Sequence, residues 1–138
     1  MDEQPLVVLD SAACWRLLGD AEVGRLAVAP AGDVDIFPVN FVVHDGCLYF
    51  RTAPGSKLFE LSVNPAVALE IDGWDDRSAY SVVVKGTAER LESQAEIDSA
   101  DRLPLAPWLP TPKYRWVRIR PGLISGRSFL RGVEPERY

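Results

Sequence analysis

The sequence predicts a mainly β protein, in which an antiparallel sheet closes into a barrel and short helices are inserted at three places. Short runs that alternate between apolar and polar residues, separated by turn residues, recur along most of the 138-residue chain. The branched side chains of Val82, Val83 and Val84 suit a pleated surface. Strands joined by short turns favour antiparallel pairing over a parallel α/β fold. The length allows one core, so we expect residues 1–138 to form one domain.

Caps, turns and chain breakers predict the individual elements. Asp10 or Ser11 can cap a first helix that runs to about Leu18. Asp45 and Gly46 form a hairpin turn. Strands are predicted over 25–29, 34–44, 47–52, 66–72, 78–91, 113–120 and 123–130, and further helices over 56–63 and 92–101. Four prolines between 104 and 112 remove backbone donors and predict an irregular crossing before the last two strands.

The composition indicates a soluble protein without a membrane segment. Hydrophobic residues make up 47% and charged residues 25%, and no apolar run reaches the roughly 20 residues of a membrane span. The formal net charge of −5 argues against general nucleic-acid binding, which requires a broad basic surface. The N-terminal segment lacks the basic start of a secretory signal, so we expect a cytoplasmic location. Cys14 and Cys47 are too few for a disulfide framework, and we expect both to be buried thiols.

Two features predict an anion-binding site. Residues 103–133 include no acid but six basic residues, namely Lys113, Arg115, Arg118, Arg120, Arg127 and Arg131. Within 49–58, a strand that ends in Arg51 and Thr52 leads through Gly55 into a helix that begins with Ser56 and Lys57. A glycine turn permits close approach, and the free N–H groups at a helix start attract a phosphate. The structural alternative makes Ser56 an ordinary cap, Lys57 a solvated charge and Arg51 the partner of a surface acid.

The sequence offers few residues that could form a hydrolytic catalytic site or a zinc site. His44 is the only histidine and lies beside the predicted hairpin turn, so a Ser-His-Asp or Cys-His catalyst would depend on that exposed position. Cys14, Cys47 and His44 are too few and too irregularly spaced for a zinc site. The sequence therefore predicts neither a hydrolase nor a zinc enzyme.

An ordered series of short segments spans nearly the whole chain. The segments are Gly24-Arg25-Leu26-Ala27-Val28, Pro38-Val39-Asn40-Phe41-Val42, Arg51-Thr52 with Gly55-Ser56-Lys57-Leu58, Asn64-Pro65-Ala66-Val67-Ala68, the strand ending in Gly86-Thr87-Ala88-Glu89, and Ile124-Ser125-Gly126-Arg127. In this order they resemble the pyridoxamine 5′-phosphate oxidase-like family. The resemblance implies a split β-barrel, Greek-key antiparallel and of the FMN-binding type. It also implies a homodimer with the cofactor at the subunit interface.

The same resemblance implies which residues contact the cofactor. By position, the phosphate would be bound by Arg51, Ser56 and Lys57, and the ribityl chain would lie beside Phe50 and Thr52. The isoalloxazine ring would lie along Val39 and Asn40, near Tyr80 and Ser81. The second subunit would contribute Trp116 and Arg127. Alternatively, Phe50, Val39 and Tyr80 are core residues, and Trp116 packs under the proline-rich crossing.

The expected function is that of an FMN-dependent oxidoreductase acting on a small organic substrate. A flavin ring supplies the redox chemistry, so no acid–base pair need appear in the sequence. A reductase that uses a deazaflavin coenzyme is the alternative in the same class, because that coenzyme also carries a phosphate on a ribityl-like chain. A non-catalytic flavin-binding barrel and a haem-binding barrel with His44 as axial ligand are further alternatives. The chain lacks the arginine-containing end of true pyridoxamine phosphate oxidases, so vitamin oxidation is not expected. Pro54 departs from the family at the phosphate turn, which affects the expected detailed geometry of the phosphate site but not its location.

Overall fold

The elements alternate as the sequence predicts, with one additional strand at the start. The computed structural model describes residues 6–105 and 115–132, apart from the side chains of 56–59. The strands are β1 (Leu6–Val8), β2 (Val23–Val28), β3 (Asp35–Asn40), β4 (Val42–His44), β5 (Cys47–Thr52), β6 (Ala66–Trp74), β7 (Ser78–Arg90) and β8 (Arg115–Leu130). The helices are α1 (Ser11–Asp20), α2 (Ser56–Val63) and α3 (Gln94–Asp101), with a 3-10 turn over Pro30–Gly32. Most of the predicted proline-rich crossing lies outside the described residues.

The strands form one antiparallel sheet that curls back on itself. The hydrogen-bonded order is β3-β2-β6-β7-β8-β5-β4, and β1 pairs with β8. β3 and β4 stand at opposite ends of this order, yet only the buried Phe41 separates them in the chain. The sheet ends therefore meet at Phe41, whose backbone N–H donates to the carbonyl of Glu22 at 3.2 Å. The predicted strand 34–44 is two strands for this reason, and the predicted antiparallel barrel is confirmed.

Alternate strand residues fill the inside of the barrel with their own side chains. Leu26, Leu69, Val82, Val84 and Ile119 have no exposed surface. α1 contributes Cys14 and Leu18 to the same core. The predicted cap of α1 is confirmed, since the Oδ1 of Asp10 accepts from the backbone N–H of Ala13 at 2.8 Å. Such a filled interior leaves the outside of the barrel for a ligand.

The two cysteines differ in environment. Cys14 is a residue of α1 that is buried in the core. Burial raises the pKa of its thiol, and the nearby charge of Asp10 raises it further. Cys47 is only half-buried, so the expectation of two buried thiols is correct for Cys14 and wrong for Cys47. Cys47 lies on the outward face of β5, where the alternation of the strand places it.

The last two predicted strands are one long strand. Pro121 and Gly122 interrupt the sequence pattern, but β8 continues through them, because Gly86 pairs with Pro121 and Lys85 already pairs with Leu123. Gly122 is therefore the extra residue of a β-bulge, which accommodates a proline–glycine pair without ending the strand. The second half of β8 also pairs with β1, with Leu6 opposite Phe129. Three residues are too few for a periodic pattern, so the sequence did not predict β1.

α3 is attached to the outside of the barrel by polar contacts to β8. The indole Nε1 of Trp116 donates to Oδ1 of Asp101 at 2.7 Å. Nη1 of Arg118 lies 2.7 Å from Oε2 of Glu96, although this ion pair lacks the direction of a hydrogen bond.

Among the helices of the described ranges, none is long and apolar enough to cross a bilayer.

A carboxylate of β7 joins two arginines of β8 beside this attachment. Oε1 of Glu89 accepts from Nε of Arg118 at 2.8 Å and from Nε of Arg120 at 2.6 Å. Burial opposes the charge of Arg118, but hydrogen bonds with Glu89 and Tyr49 outweigh it and raise the pKa of the guanidinium. Burial alone would raise the pKa of Glu89. The hydrogen bonds and charges of the two arginines have the larger effect, so the pKa of Glu89 is lowered overall.

Replacing Gly86 by alanine should destabilise the protein. A Cβ at this position would overlap the backbone carbonyl of Arg120, which cannot move without breaking the register at the bulge. We expect Gly86→Ala to lower the free energy of unfolding by about 1–3 kcal/mol, measured by urea denaturation. Gly19→Ala is the matched control, because a Cβ there meets nothing within 4 Å and α1 gains helix propensity. An unchanged urea midpoint for Gly86→Ala would contradict the bulge geometry.

The Glu89 cluster should make stability depend on pH in the acid range. A carboxyl whose folded pKa is lowered stabilises the fold above its unfolded pKa, near the ordinary value of 4.5, and loses that contribution as the pH falls through the folded pKa. We expect Glu89→Gln to cost about 0.5–1 kcal/mol at pH 7, the range of partly exposed ion pairs. Urea titrations of both proteins should converge as the pH falls below 4.5. A constant difference from pH 7 to pH 3 would refute the assignment.

Candidate functional site

The end of β5 presents its side chains to two different environments. Phe50 and Thr52 face the barrel interior, where Phe50 has no exposed surface and Thr52 is buried. Arg51 lies between them in the strand and therefore faces outward. The structure thus separates Arg51 from its two neighbours, and it places Phe50 in the core, as the alternative interpretation of that residue predicts.

Arg51 is held by an aromatic ring and has an unused donor. It lies opposite Trp116 in the register of β5 and β8, and the carbon of its guanidinium is 5.3 Å from the centroid of the Trp116 ring. Its Nε is buried and makes no hydrogen bond to any described group. An unsatisfied buried donor of this kind costs about 1–3 kcal/mol unless a ligand or water accepts from it. Arg51 is therefore a cation prepared for an anionic partner.

The start of α2 lies a short chain distance from Arg51. Three residues separate Thr52 from Ser56, and the last of them, Gly55, is the N-cap, with φ 153°. Glycine favours this φ, has no side chain with which to cap the helix, and stands where an added Cβ would meet nothing within 4 Å. The first N–H groups of α2 therefore have no side-chain cap among the described groups. The side chains of Ser56 and Lys57 lie outside the described residues.

Trp116 lies in the same chain as Arg51 and beside it. Its side chain is 3% exposed and packs with Tyr49, Leu91 and Ala100. This burial leaves little of the ring for a second subunit, which is the role that the resemblance implied. The alternative, packing under the proline-rich crossing, involves residues that the structure does not describe beyond Leu105. Sequence reasoning missed Asp101, the partner of the indole N–H, because nothing local relates it to a tryptophan fifteen residues later.

A second group of predicted residues lies on the outward face of β7 and β8. Ser81 and Arg127 are register neighbours. They border a cavity of about 300 Å³, lined also by Leu6, Val8, Val83 and Ser125. We call the outward face of β1, β3, β2, β6, β7 and the second half of β8 the open face. Within the described residues, no helix covers it, and its exposed apolar side chains are Leu6, Val8, Ile36, Trp74, Leu123 and Phe129.

A charged cluster occupies the middle of the open face. Nη1 of Arg25 lies 2.9 Å from both Oε1 of Glu70 and Oδ2 of Asp72. Asp72 is the register neighbour of Ser81, so the cluster adjoins the cavity beside Arg127. Burial and the neighbouring Asp72 raise the pKa of Glu70, whereas the hydrogen bond that Arg25 donates to Glu70 raises the pKa of Arg25. Two acids thus share one arginine at this position.

The remaining predicted residues have mixed positions. Val39 is buried in the core, and Tyr80 packs against the core and lies over Gly73. Asn40 ends β3, opposite Val23, and its Nδ2 donates to the carbonyl of Glu22 at 3.3 Å. Asn40 is half-buried on the open face, whereas Val39 faces the interior, so the two are not adjacent parts of one accessible surface.

Within one chain, the predicted residues fall into two separate groups. Trp116, beside Arg51, and Arg127, beside Ser81, are eleven residues apart on β8 (127 − 116). At 3.3 Å per residue this is about 36 Å of strand path, which is longer than a flavin mononucleotide. One group offers a cation and a helix start, and the other a mainly apolar cavity with Ser81 and Arg127 at its border.

Comparisons with known proteins identify the family. Residues 10–128 match the family model described as pyridoxamine 5′-phosphate oxidase. An uncharacterized protein of Mycobacterium tuberculosis is 41% identical over 96 residues, which are 70% of this chain and 87% of that protein. A crystal structure from Corynebacterium glutamicum, provisionally assigned as a pyridoxamine 5′-phosphate oxidase, is 40% identical, with a TM-score of 0.85 over 96% of this chain and 100% of that one.

Two further solved structures are described as flavin-binding. The FAD-binding protein of Mycobacterium smegmatis is 37% identical, with a TM-score of 0.77 over 89% of this chain and 98% of that chain. An FAD-binding protein from Mesorhizobium loti is 26% identical, with a TM-score of 0.79 over 91% of this chain and 99% of that chain. The matched range, the identities and the shared split barrel together place this chain in the pyridoxamine 5′-phosphate oxidase family.

Proposed function

We propose that the protein is an FMN-binding oxidoreductase, that it works as a homodimer with the cofactor at the subunit interface, and that it transfers hydride or electrons to or from a small organic substrate. The observation that carries this proposal is Arg51, a cation whose buried Nε has no hydrogen-bond partner among the described groups and which lies near the uncapped start of α2. Family membership and the flavin-binding relatives support it.

The phosphate of the cofactor fits the groups at this corner. A doubly charged phosphate accepts charge-assisted hydrogen bonds from a guanidinium, and the dipole of a helix start favours it further. Gly55 leaves the backbone approachable from that side. In this proposal Arg51, Ser56 and Lys57 bind the phosphate, whereas Thr52 faces the barrel interior and has no part in it.

When bound, the flavin supplies the hydride or electron transfer itself. The protein then has three tasks, namely to hold the phosphate, to orient the ring and to limit access of water. We assign to the ring the half-buried Asn40 and the largely apolar cavity that Ser81 and Arg127 border. No described side chain has to act as a general acid or base in this scheme.

The separation of the two groups and the open face support the proposed homodimer. Arg51 lies beside Trp116, eleven residues along β8 from Arg127, and in this proposal Ser81 and Arg127 contact the flavin from the second copy. Exposed apolar side chains on a broad sheet face mark an association surface. Charges with internal partners, such as Arg25 with Glu70 and Asp72, can be buried there at lower cost than isolated ones.

Removing the two proposed phosphate cations should weaken FMN binding strongly. Each charge-assisted contact is worth about 1.5–3 kcal/mol, so we expect Arg51→Ala with Lys57→Ala to lower FMN affinity by at least about a hundredfold. Fluorescence titration with FMN, FAD and the deazaflavin coenzyme measures this and shows which cofactor binds most tightly. Arg16→Ala is the control, because Arg16 is exposed on α1. Equal affinities of wild type and the double variant would remove the site assignment.

The same preparation separates an enzyme from a binding module. Bleaching of the bound flavin by a reduced nicotinamide supports the oxidoreductase, whereas a flavin that no donor reduces supports a non-catalytic barrel. A wild-type protein that takes up none of the three cofactors would contradict the proposed function.

Charges placed on the open face should separate the subunits. Trp74 and Leu123 are 71% and 60% exposed there, and a carboxylate at each position could not be buried against a second copy. We expect wild type to sediment as a dimer and Trp74→Asp with Leu123→Asp as a monomer. Val63→Asp is the matched control, since Val63 is 48% exposed at the end of α2, away from the open face. A wild-type monomer would refute the dimer.

Subunit mixing tests whether the two groups act from different copies. Arg51→Ala and Arg127→Ala homodimers should each bind FMN weakly, because each lacks a contact at both sites. Mixed dimers would contain one intact site, so exchange of subunits should restore tight binding of about one FMN per two dimers. No recovery after demonstrated exchange would show that both residues act within one chain.

A further inference from the structure

We infer that Asp101 and Trp116 are positioning residues for the phosphate contact of Arg51. The inference rests on the proposed function. It adds a role for α3, a helix that the proposed function does not place in contact with the cofactor. The indole N–H of Trp116 donates to Asp101 at 2.7 Å, and the guanidinium of Arg51 lies over the ring of the same tryptophan at 5.3 Å. The three side chains therefore connect α3 to the proposed phosphate site, which lies at the end of β5 and the start of α2.

The first contact fixes the plane of the indole ring. Trp116 is 3% exposed, and its only polar atom meets a carboxylate at a short distance, which makes this a charge-assisted hydrogen bond. Asp101 is itself held in place, because α3 is anchored a further turn back by the ion pair between Glu96 and Arg118. The ring thus has one orientation relative to the barrel.

The second contact fixes Arg51 by that ring. A free arginine side chain samples many rotamers, and binding an anion with it costs the entropy of selecting one of them. A guanidinium attracted to the face of an indole has already lost much of that freedom. Because the ring lies on one side of Arg51 and offers no hydrogen-bond acceptor, the Nε of Arg51, which has no partner among the described groups, stays available for a phosphate. This arrangement is preorganisation of a binding group.

The neighbouring Arg118 shows the contrasting arrangement. Arg118 lies on β8, under α3, where it donates a hydrogen bond to Glu89, is hydrogen-bonded to the hydroxyl of Tyr49 and forms an ion pair with Glu96. Arg118 therefore secures the helix, whereas Arg51 has an aromatic support and an unused Nε. The difference between the two arginines is what indicates a ligand-directed role for the Asp101–Trp116 pair.

The experiment compares FMN with riboflavin, which lacks the phosphate. We expect Asp101→Ala to lower FMN affinity roughly three- to tenfold, the effect of one hydrogen bond, and to leave riboflavin affinity unchanged. Asp101→Asn should recover part of the loss, because an amide oxygen can still accept from the indole. Trp116→Phe keeps a ring for Arg51 but removes the N–H, so Asp101→Ala should have no further effect in that background. Asp98→Ala, on the same helix and bonded only to Gln94 in the described contacts, is the control.

Each outcome decides the inference. Unchanged FMN affinity in Asp101→Ala overturns it, and so does an equal loss of FMN and riboflavin, which would mean that α3 merely supports the fold. Wild type that binds FMN and riboflavin equally would remove the phosphate role of Arg51 and this inference with it. Wild type that binds neither would instead contradict the proposed function. Near-ultraviolet circular dichroism confirms that each variant is folded.

Discussion

The pairing register of β8 determines where every part of the proposed site lies. This strand pairs with β5 at its start, with β7 along most of its length and with β1 at its end. The bulge at Gly122 lets one strand bend enough to serve all three partners. Trp116 and Arg127 belong to its two halves, so a slip of one residue would turn either side chain to the other face of the sheet. The positions of both groups of site residues therefore depend on one set of strand contacts.

Because side chains fill the barrel, only its outside is left for a cofactor. The interior is packed by side chains such as Leu69, Val82 and Ile119, which have no exposed surface, and this leaves no room for a flavin. The outside is divided in two. α3 covers the part formed by β5 and the first half of β8, and the open face is uncovered within the described residues. The proposed homodimer would bring a second copy and the cofactor together at the boundary between these two parts.

The basic residues of the C-terminal third have different functions, although their spacing in the sequence looks uniform. Arg118 and Arg120 share Glu89 of β7, and Arg118 also pairs with Glu96 of α3. Arg127 borders the cavity on the open face. Burying a guanidinium stabilises the fold only where carboxylates accept its N–H groups, so the partners decide which arginine is structural. By that criterion Arg51, on β5, is the one whose surroundings favour a ligand.

Local signals let the sequence by itself determine the caps, turns and starts of the elements. Asp10 caps α1, the Asp45–Gly46 turn joins β4 to β5, and α2 begins and ends at the predicted residues. These features depend on groups only a few residues apart, so a short stretch of sequence is enough to predict them. The tertiary structure alone decided that Phe41 divides a strand, that β8 passes through Pro121 and Gly122, and that β1 exists at all. It also decided that Asp101 meets Trp116 and that Ser81 meets Arg127. Such contacts depend on the register between distant strands and on which face of a strand is covered, and no short stretch of sequence specifies either one.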